Sequence, residues 1–296
     1  MAQPHHTQRL TRTEDSLTVL FCLIDDAYAL LNPNGGRYGP LKRLSDSEVI
    51  TLALLQQLRG VESERSFLRD AERFFSHLFP GVVELHPSSL HRRVRKLRRF
   101  LEPLRREGDC PRPGRRSGDP AGRLHPACGA APQTGRPVRR FPGGGMGQVG
   151  FLQRLRGEAA PALRDQRGGA LLRALTPANV AEVRLTEELL TEADLRDDLA
   201  RRLFGDLAYR SEALGHALAE CGISLVTERA DQRGERQRIE ITLSSLKRVF
   251  GLGWTLATTL VGLATRISAK VTAYTYGLLV NRLLGRPQGR IKELWA

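Results

Sequence analysis

The chain has 296 residues, with 46 Lys and Arg against 32 Asp and Glu and a formal charge of +14. That length allows one large domain or two small ones with a substantial core, and the charge makes a polyanion the first partner to consider. Four scattered cysteines without a C-x-x-C pair argue against a zinc knuckle or a disulfide framework and suit a reducing cytosol. Only Lys42, Lys96, Lys247, Lys270 and Lys292 are lysines, an arginine bias that fits a GC-rich genome as well as phosphate binding. The N-terminus lacks an apolar signal core, and the apolar-leaning run Leu252 to Thr265 is cut off by Arg266 and Lys270 before it could span a bilayer. The expectation is a soluble cytoplasmic, nucleoid-associated protein with no membrane partner.

From Glu14 to Arg106 the pattern is helical. "SLTVLFCLIDDAYALL" repeats apolar residues at three and four. "LSDSEVITLALLQQLRG" opens with Ser45 and Glu48 in capping-box spacing and closes on Gly60. "SERSFLRDAERFFSHLF" is a third helix ending at Pro80, and Phe74, Phe75 and Phe79 lie at core spacing, so they offer no aromatic platform for RNA. In the fourth, "PSSLHRRVRKLRRFLEPLRR", Leu90, Val94, Leu97, Leu101 and Leu104 form one stripe, and Arg92, Arg93, Arg95, Lys96, Arg98 and Arg99 cover the rest. So many like charges beside a single glutamate repel one another unless an anion is present, which makes this helix the expected DNA-binding element. Its arginines could also simply face water.

Patterned sequence resumes near Leu175. "TPANVAEVRLTEELL" and "LRDDLARR" predict short helices, "LFGD" a strand, "SEALGHALAECG" a helix closed by Gly222, and "ISLVTE" a second strand. Strand, helix, strand is the α/β crossover order. "RQRIEITLSSLKRVFGL" is helical, and Leu252, Leu256, Leu260, Leu263, Ile267 and Val271 continue a helical period. The expected class is α/β, a basic helical module followed by a domain of mixed character.

Asp206 stands where the first of these strands gives way to a loop, a position that α/β enzymes use for catalytic carboxylates. Glu240 lies 34 residues later on the polar face of a helix, with Arg236, Ser244 and Lys247. Two such carboxylates could share a divalent cation in phosphoryl transfer, where hard oxygen ligands bracket the attacking and leaving oxygens. On residues alone, a lone strand-end aspartate such as Asp206 is more often a turn or cap residue, and a glutamate placed as Glu240 is more often a solvated surface charge. His77, His86 and His91 have no metal-ligand spacing.

At these residues the chain resembles the DDE transposases of bacterial insertion sequences. "GDLAYRSEALGHALAECGISLVTE" is similar to the block around their second aspartate, and "R-x-x-I-E" followed by "L-K-x-x-F-G-L" to the block bearing their glutamate. "LSDSEVITLALLQQL" and "LLVNRLLGRPQGRIKELWA" look like insertion-sequence group nine-eighty-two. The resemblance covers about residues 15–106 and 175–296. It implies a ribonuclease H-like catalytic fold, a two-metal Mg2+ or Mn2+ site, strand cleavage at transposon ends, and strand transfer into target DNA, with a homodimer on DNA as the working form. Asp206 and Glu240 would then be the second and third catalytic carboxylates and metal ligands. Leu207 and Ala208 depart from the family's Lys and Gly, which puts a phosphate contact from that lysine in doubt.

The family's first aspartate belongs between the basic helix and residue 175, in a "V-D-S" pattern followed by "K-L-H-L", and neither is present. From Gly108 to Ala174 stand 14 of the 29 glycines and 8 of the 16 prolines, with no Ile, Lys, Tyr, Trp or Asn, which is the wrong composition for central strands. "GRLHP", Gly122 to Pro126, can be encoded so that a one-base shift reads Val-Asp-Ser-Thr, and "GEAAPA", Gly157 to Ala162, so that the same shift reads Val-Lys-Leu-His-Leu. "FPGGGMGQVGF" permits a sensible reading at that offset too. Residues 108–174 are therefore expected to be an aberrant, out-of-frame, disordered segment; the competing reading is an authentic linker. Asp109, Asp119 and Asp165 have no strand context to replace the lost aspartate. The expected organisation is a DNA-binding region at 1–107, the aberrant segment, and an incomplete catalytic domain at 175–296. The chain reads as a transposase by descent whose copy is degenerate and inactive, or alternatively as a non-catalytic DNA-binding protein acting on transposon ends.

Overall fold

The computed structural model of the chain describes residues 4–33, 43–83, 85–109, 202–204, 211–220, 224–226, 235–252 and 257–294. These residues are mostly helical. Helix α1 spans Pro4–Leu31 and buries Leu17, Leu20, Ile24 and Ala27 at steps of three and four. Helix α2, Asp46–Leu58, begins as its capping box requires: the Ser45 hydroxyl accepts from the Glu48 N–H and the Glu48 carboxylate accepts from the Ser45 N–H. Beyond its first turn it is buried on nearly every side, which makes it the central helix. Gly60, φ 67°, lets the chain turn away at its end.

Helix α3, Glu64–Phe75, is capped by Ser63 and buries Phe67, Leu68, Ala71 and Phe75. A 3-10 turn at Pro80–Val82 follows. There a Cβ on Gly81 would stand 1.9 Å from the Arg43 carbonyl oxygen, so the close approach of these two backbones requires glycine. Phe79 and Phe75 are buried, as their spacing predicts, with Phe74 packed at the edge. Helix α4, Pro87–Asp109, opens on a proline and buries Leu90, Leu97, Leu101 and Leu104 in the expected stripe, with Val94 packed against the core.

Strand β1, Arg202–Phe204, helix α5, Glu212–Glu220, and strand β2, Ser224–Val226, follow in that order. The strands pair in parallel, Arg202 with Ser224, Leu203 with Leu225 and Phe204 with Val226. A helix joining two parallel neighbours is the crossover that the sequence pattern predicts. The helix expected at 176–190 lies outside the described residues, as does the one expected at 195–202 except for Arg202, which instead opens β1.

Helix α6, Glu235–Arg248, is separated from helix α7, Leu260–Leu283, where the apolar period alone suggested continuity. Gly251 takes φ 55° and stops the first helix; the Thr259 hydroxyl accepts from the Gly262 N–H and starts the second. From Ile267 to Gly277 every residue of α7 is buried. The helical core is therefore not confined to the first 107 residues: α7 inserts among α1, α2 and α4 and packs most extensively on α4. Thr272 donates through its hydroxyl to the Leu101 carbonyl at 3.0 Å, and Tyr276 to the Leu104 carbonyl at 3.2 Å. Both numbers rise together, so α4 and α7 run parallel. Among the described residues no helix is long and apolar enough to cross a membrane.

One charge lies inside this core. Lys270 is 0% exposed, and its ammonium donates to Glu62 Oε1 at 2.5 Å, to the Phe250 carbonyl at 2.5 Å and to the Gly251 carbonyl at 3.1 Å. Burial lowers its pKa below 10.5, against the opposing pull of Glu62. Lys270→Ala should cost about 3–5 kcal/mol in denaturant unfolding, because it strands Glu62 and two carbonyls and leaves a cavity, whereas Lys270→Met strands the same groups but fills the space and should cost less. The unfolded chain holds its proton up to the ordinary lysine range and the folded chain releases it earlier, so between those points the unfolded state binds more protons. Wild-type stability should accordingly rise relative to Lys270→Met as pH climbs toward 10.5; a flat difference would contradict the buried ammonium. Gly251→Ala should lose about 1–2 kcal/mol in the same assay, from a Cβ forced into the left-handed region and 3.2 Å from Glu62 Oε1.

Candidate nucleic-acid interface

Helix α4 separates its two chemistries by rotation. Its leucines face α2 and α7, and on the opposite side Arg92, Arg95, Lys96 and Arg99 recur at three, four and seven residues, a row about 10 Å long. Arg98 stands beside this row, and all five cations are exposed. Arg92 Nε donates to the Ser88 carbonyl at 3.3 Å, and the Arg99 guanidinium lies 4.8 Å from the centroid of the Phe100 ring. Both contacts engage one side of a guanidinium, and both residues remain exposed.

The sixth candidate, Arg93, is turned inward. Its Nη1 donates to the Leu44 carbonyl at 2.8 Å and its Nη2 to Asp46 Oδ1 at 2.6 Å. Tyr28 donates to the other Asp46 oxygen at 3.2 Å and accepts from Asn32 Nδ2 at 3.0 Å. Burial and the Asp46 charge raise the Tyr28 pKa. Arg93 thus fastens α4 to the start of α2. Arg105 also leaves the basic set: it is 1% exposed and its Nη2 donates to Glu102 at 2.6 Å.

At the N-terminal end of the basic row, α4 meets α3 and α7 through charges. His91 Nδ1 lies 2.9 Å from Glu64 Oε1, and Arg266 reaches Glu62 at 3.2 Å and Glu64 at 3.5 Å. With Lys270 on Glu62, this is one continuous network across three elements. A narrow cleft opens beside it, lined by Gln57, His91, Arg95 and Arg266 among others. None of these groups except Arg95 was singled out as functional by the sequence pattern, because their partners lie far away in the chain.

Asp206 lies outside the described residues, two positions past the end of β1. Glu240 is on helix α6, and its side chain is likewise outside them. Among the described residues no three His, Cys, Asp or Glu side chains gather as a metal site. The histidines serve separate contacts: His77 with Glu14 at 3.2 Å, His86 with Ser88 at 2.7 Å, His91 with Glu64. Compared with family models, curated proteins and solved structures, the chain matches none.

If the α4 row holds phosphates, replacing Arg92, Lys96 or Arg99 singly by Gln should weaken duplex binding and lower the slope of log affinity against log salt by about one each. Arg93→Gln should instead leave that slope unchanged and lower folding stability by about 1–3 kcal/mol, through the lost charged hydrogen bonds. Anisotropy titrations over a salt series, with melting curves of the same variants, separate the two roles.

Proposed function

We propose that the chain is a DDE-type transposase by descent, built for metal-dependent strand cleavage and transfer at insertion-sequence ends, in a copy that has lost catalysis. The observation that carries the reading is the parallel β1–α5–β2 crossover, in which Asp206 follows the first strand by two residues. A strand end feeding an open loop is where such folds hold a reactive carboxylate. Glu240 on α6 supplies the second. Their oxygens are the hard donors that Mg2+ or Mn2+ takes, and a bound cation would stabilise charge on the scissile phosphate. The ribonuclease H-like fold, DNA as partner, a homodimer on DNA and a nucleoid location belong to the same reading.

What is missing is the first aspartate. With no "V-D-S" strand between the basic helix and residue 175, the carboxylate set is one short. The second reading, a non-catalytic protein that binds transposon ends, draws support from the five exposed cations of α4, which do not depend on that set.

The purified full chain should bind transposon-end duplex and produce no Mg2+- or Mn2+-dependent nicking. Asp206→Asn and Glu240→Gln should leave binding untouched. Cleavage by the wild type that both substitutions abolish would overturn the loss of catalysis, and reading the nucleotides of codons 106–176 in all frames tests its cause. A continuous frame spelling V-D-S-T through K-L-H-L is the expected result.

A further inference from the structure

The exposed cations of α4 are not equivalent around the helix axis. At about 100° per residue, Arg92, Arg95 and Arg99 fall within about 60° of one another, opposite the buried leucines. Lys96 lies roughly 70° to one side of their midline, the side on which Arg93 reaches Asp46. Arg98 lies roughly 90° to the other side, where His91 meets Glu64. Arg93 and His91 thus hold both flanks and fix the rotation at which this face is presented. No acidic residue stands between His86 and Leu101. The first one after them, Glu102, is taken up by Arg105. Arg92 spends only its Nε, on the Ser88 carbonyl, among the described residues, which leaves both terminal nitrogens to donate.

A central line of arginines with one cation on each flank has the cross-section that a duplex groove requires. An α-helix with its side chains is about 10–12 Å across, and the major groove of B-form DNA is about 12 Å wide. A helix seated there turns its outermost line to the base edges and its flanks to the two phosphate walls. The central line is arginine only, and the guanidinium fork matches the O6 and N7 acceptors of guanine. From Arg92 to Arg99 the line runs about 10 Å, roughly three base-pair steps of about 3.4 Å. Side chains placed at such steps along one helix reach successive base pairs. The major groove of A-form RNA is too deep and narrow to be read in this way.

Resting on the reading of α4 as a nucleic-acid face, we propose that α4 lies in the major groove of duplex DNA and reads guanine there. Arg92, Arg95 and Arg99 donate to guanine O6 and N7 over a site of about three base pairs. Lys96 and Arg98 hold phosphates of the two opposite strands. The five cations therefore divide into a set that selects sequence and a set that adds affinity to every sequence.

The test selects binding sites from a randomised DNA duplex library with the full chain, then repeats the selection with single variants. All five side chains are exposed, so their replacement leaves the core intact. Each substitution by Gln removes one cation, so base preference, and not the salt slope, separates the two sets. The wild type should enrich guanine at adjacent positions. Arg92→Gln, Arg95→Gln and Arg99→Gln should each lose guanine at one of them, whereas Lys96→Gln and Arg98→Gln should keep the wild-type preference and weaken all sequences alike. Placing 7-deazaguanine, which lacks the N7 acceptor, at the selected guanines should weaken wild-type binding roughly tenfold. An RNA duplex of the same sequence should compete poorly. Binding without base preference, one preference shared by the wild type and all five variants, or indifference to 7-deazaguanine would overturn groove reading and leave the basic face as a binding surface. Equal competition by the RNA duplex would overturn it too. Failure of the wild type to bind any duplex would remove the underlying reading itself.

Discussion

A single ammonium buried among helices organises this fold. Lys270 has no water to solvate it, so its charge must be met by Glu62 and by two backbone carbonyls at the end of α6. Those partners lie 208 and 20 residues away along the chain, and the contact holds only when all three segments are in place. A hydrophobic residue could fill the volume with less desolvation cost. What the lysine adds is register: its short reach permits one seating of α7 against the loop before α3 and against the turn at Gly251, where a larger residue would intrude on the pair.

The same network reaches the protein's charged exterior. Glu62 is shared by Lys270 and Arg266, Arg266 by Glu62 and Glu64, and Glu64 by Arg266 and His91, so the chain of contacts runs from the dry core to the head of the basic helix. On the far side, Arg93 locks α4 to the start of α2 through Asp46. Between these two fastenings α4 cannot rotate without breaking a charged contact. The backbone positions that carry its outward cations are consequently fixed relative to the core.

Local signals accounted for the elements, and distant partners decided the roles. The Ser45–Glu48 capping box, Gly60 and the leucine stripe of α4 act within one or two turns, and each is legible because cause and effect lie side by side in the chain. The crossover at β1–α5–β2 was legible for the same reason. Arg93 and Arg105 looked like their neighbours, yet one is fixed by an aspartate 47 residues away and the other turns into the core. Lys270 read as a charge that interrupts an apolar run, and it is instead the buried centre of that run.

The parallel placement of α7 beside α4 has a consequence for synthesis. Helices α1 to α4 emerge from the ribosome early, but the groove that α7 fills stays open until almost the whole chain has been made. A polypeptide ending anywhere in the glycine- and proline-rich middle would carry an uncovered α2 and no replacement for it, the kind of surface that draws chaperones, proteases and other unfinished chains. A chain cut short there would therefore lose the helix that covers α2 and α4 and, with it, the support of the basic helix. The presence of α7 is what allows the outer parts of this chain to close on each other.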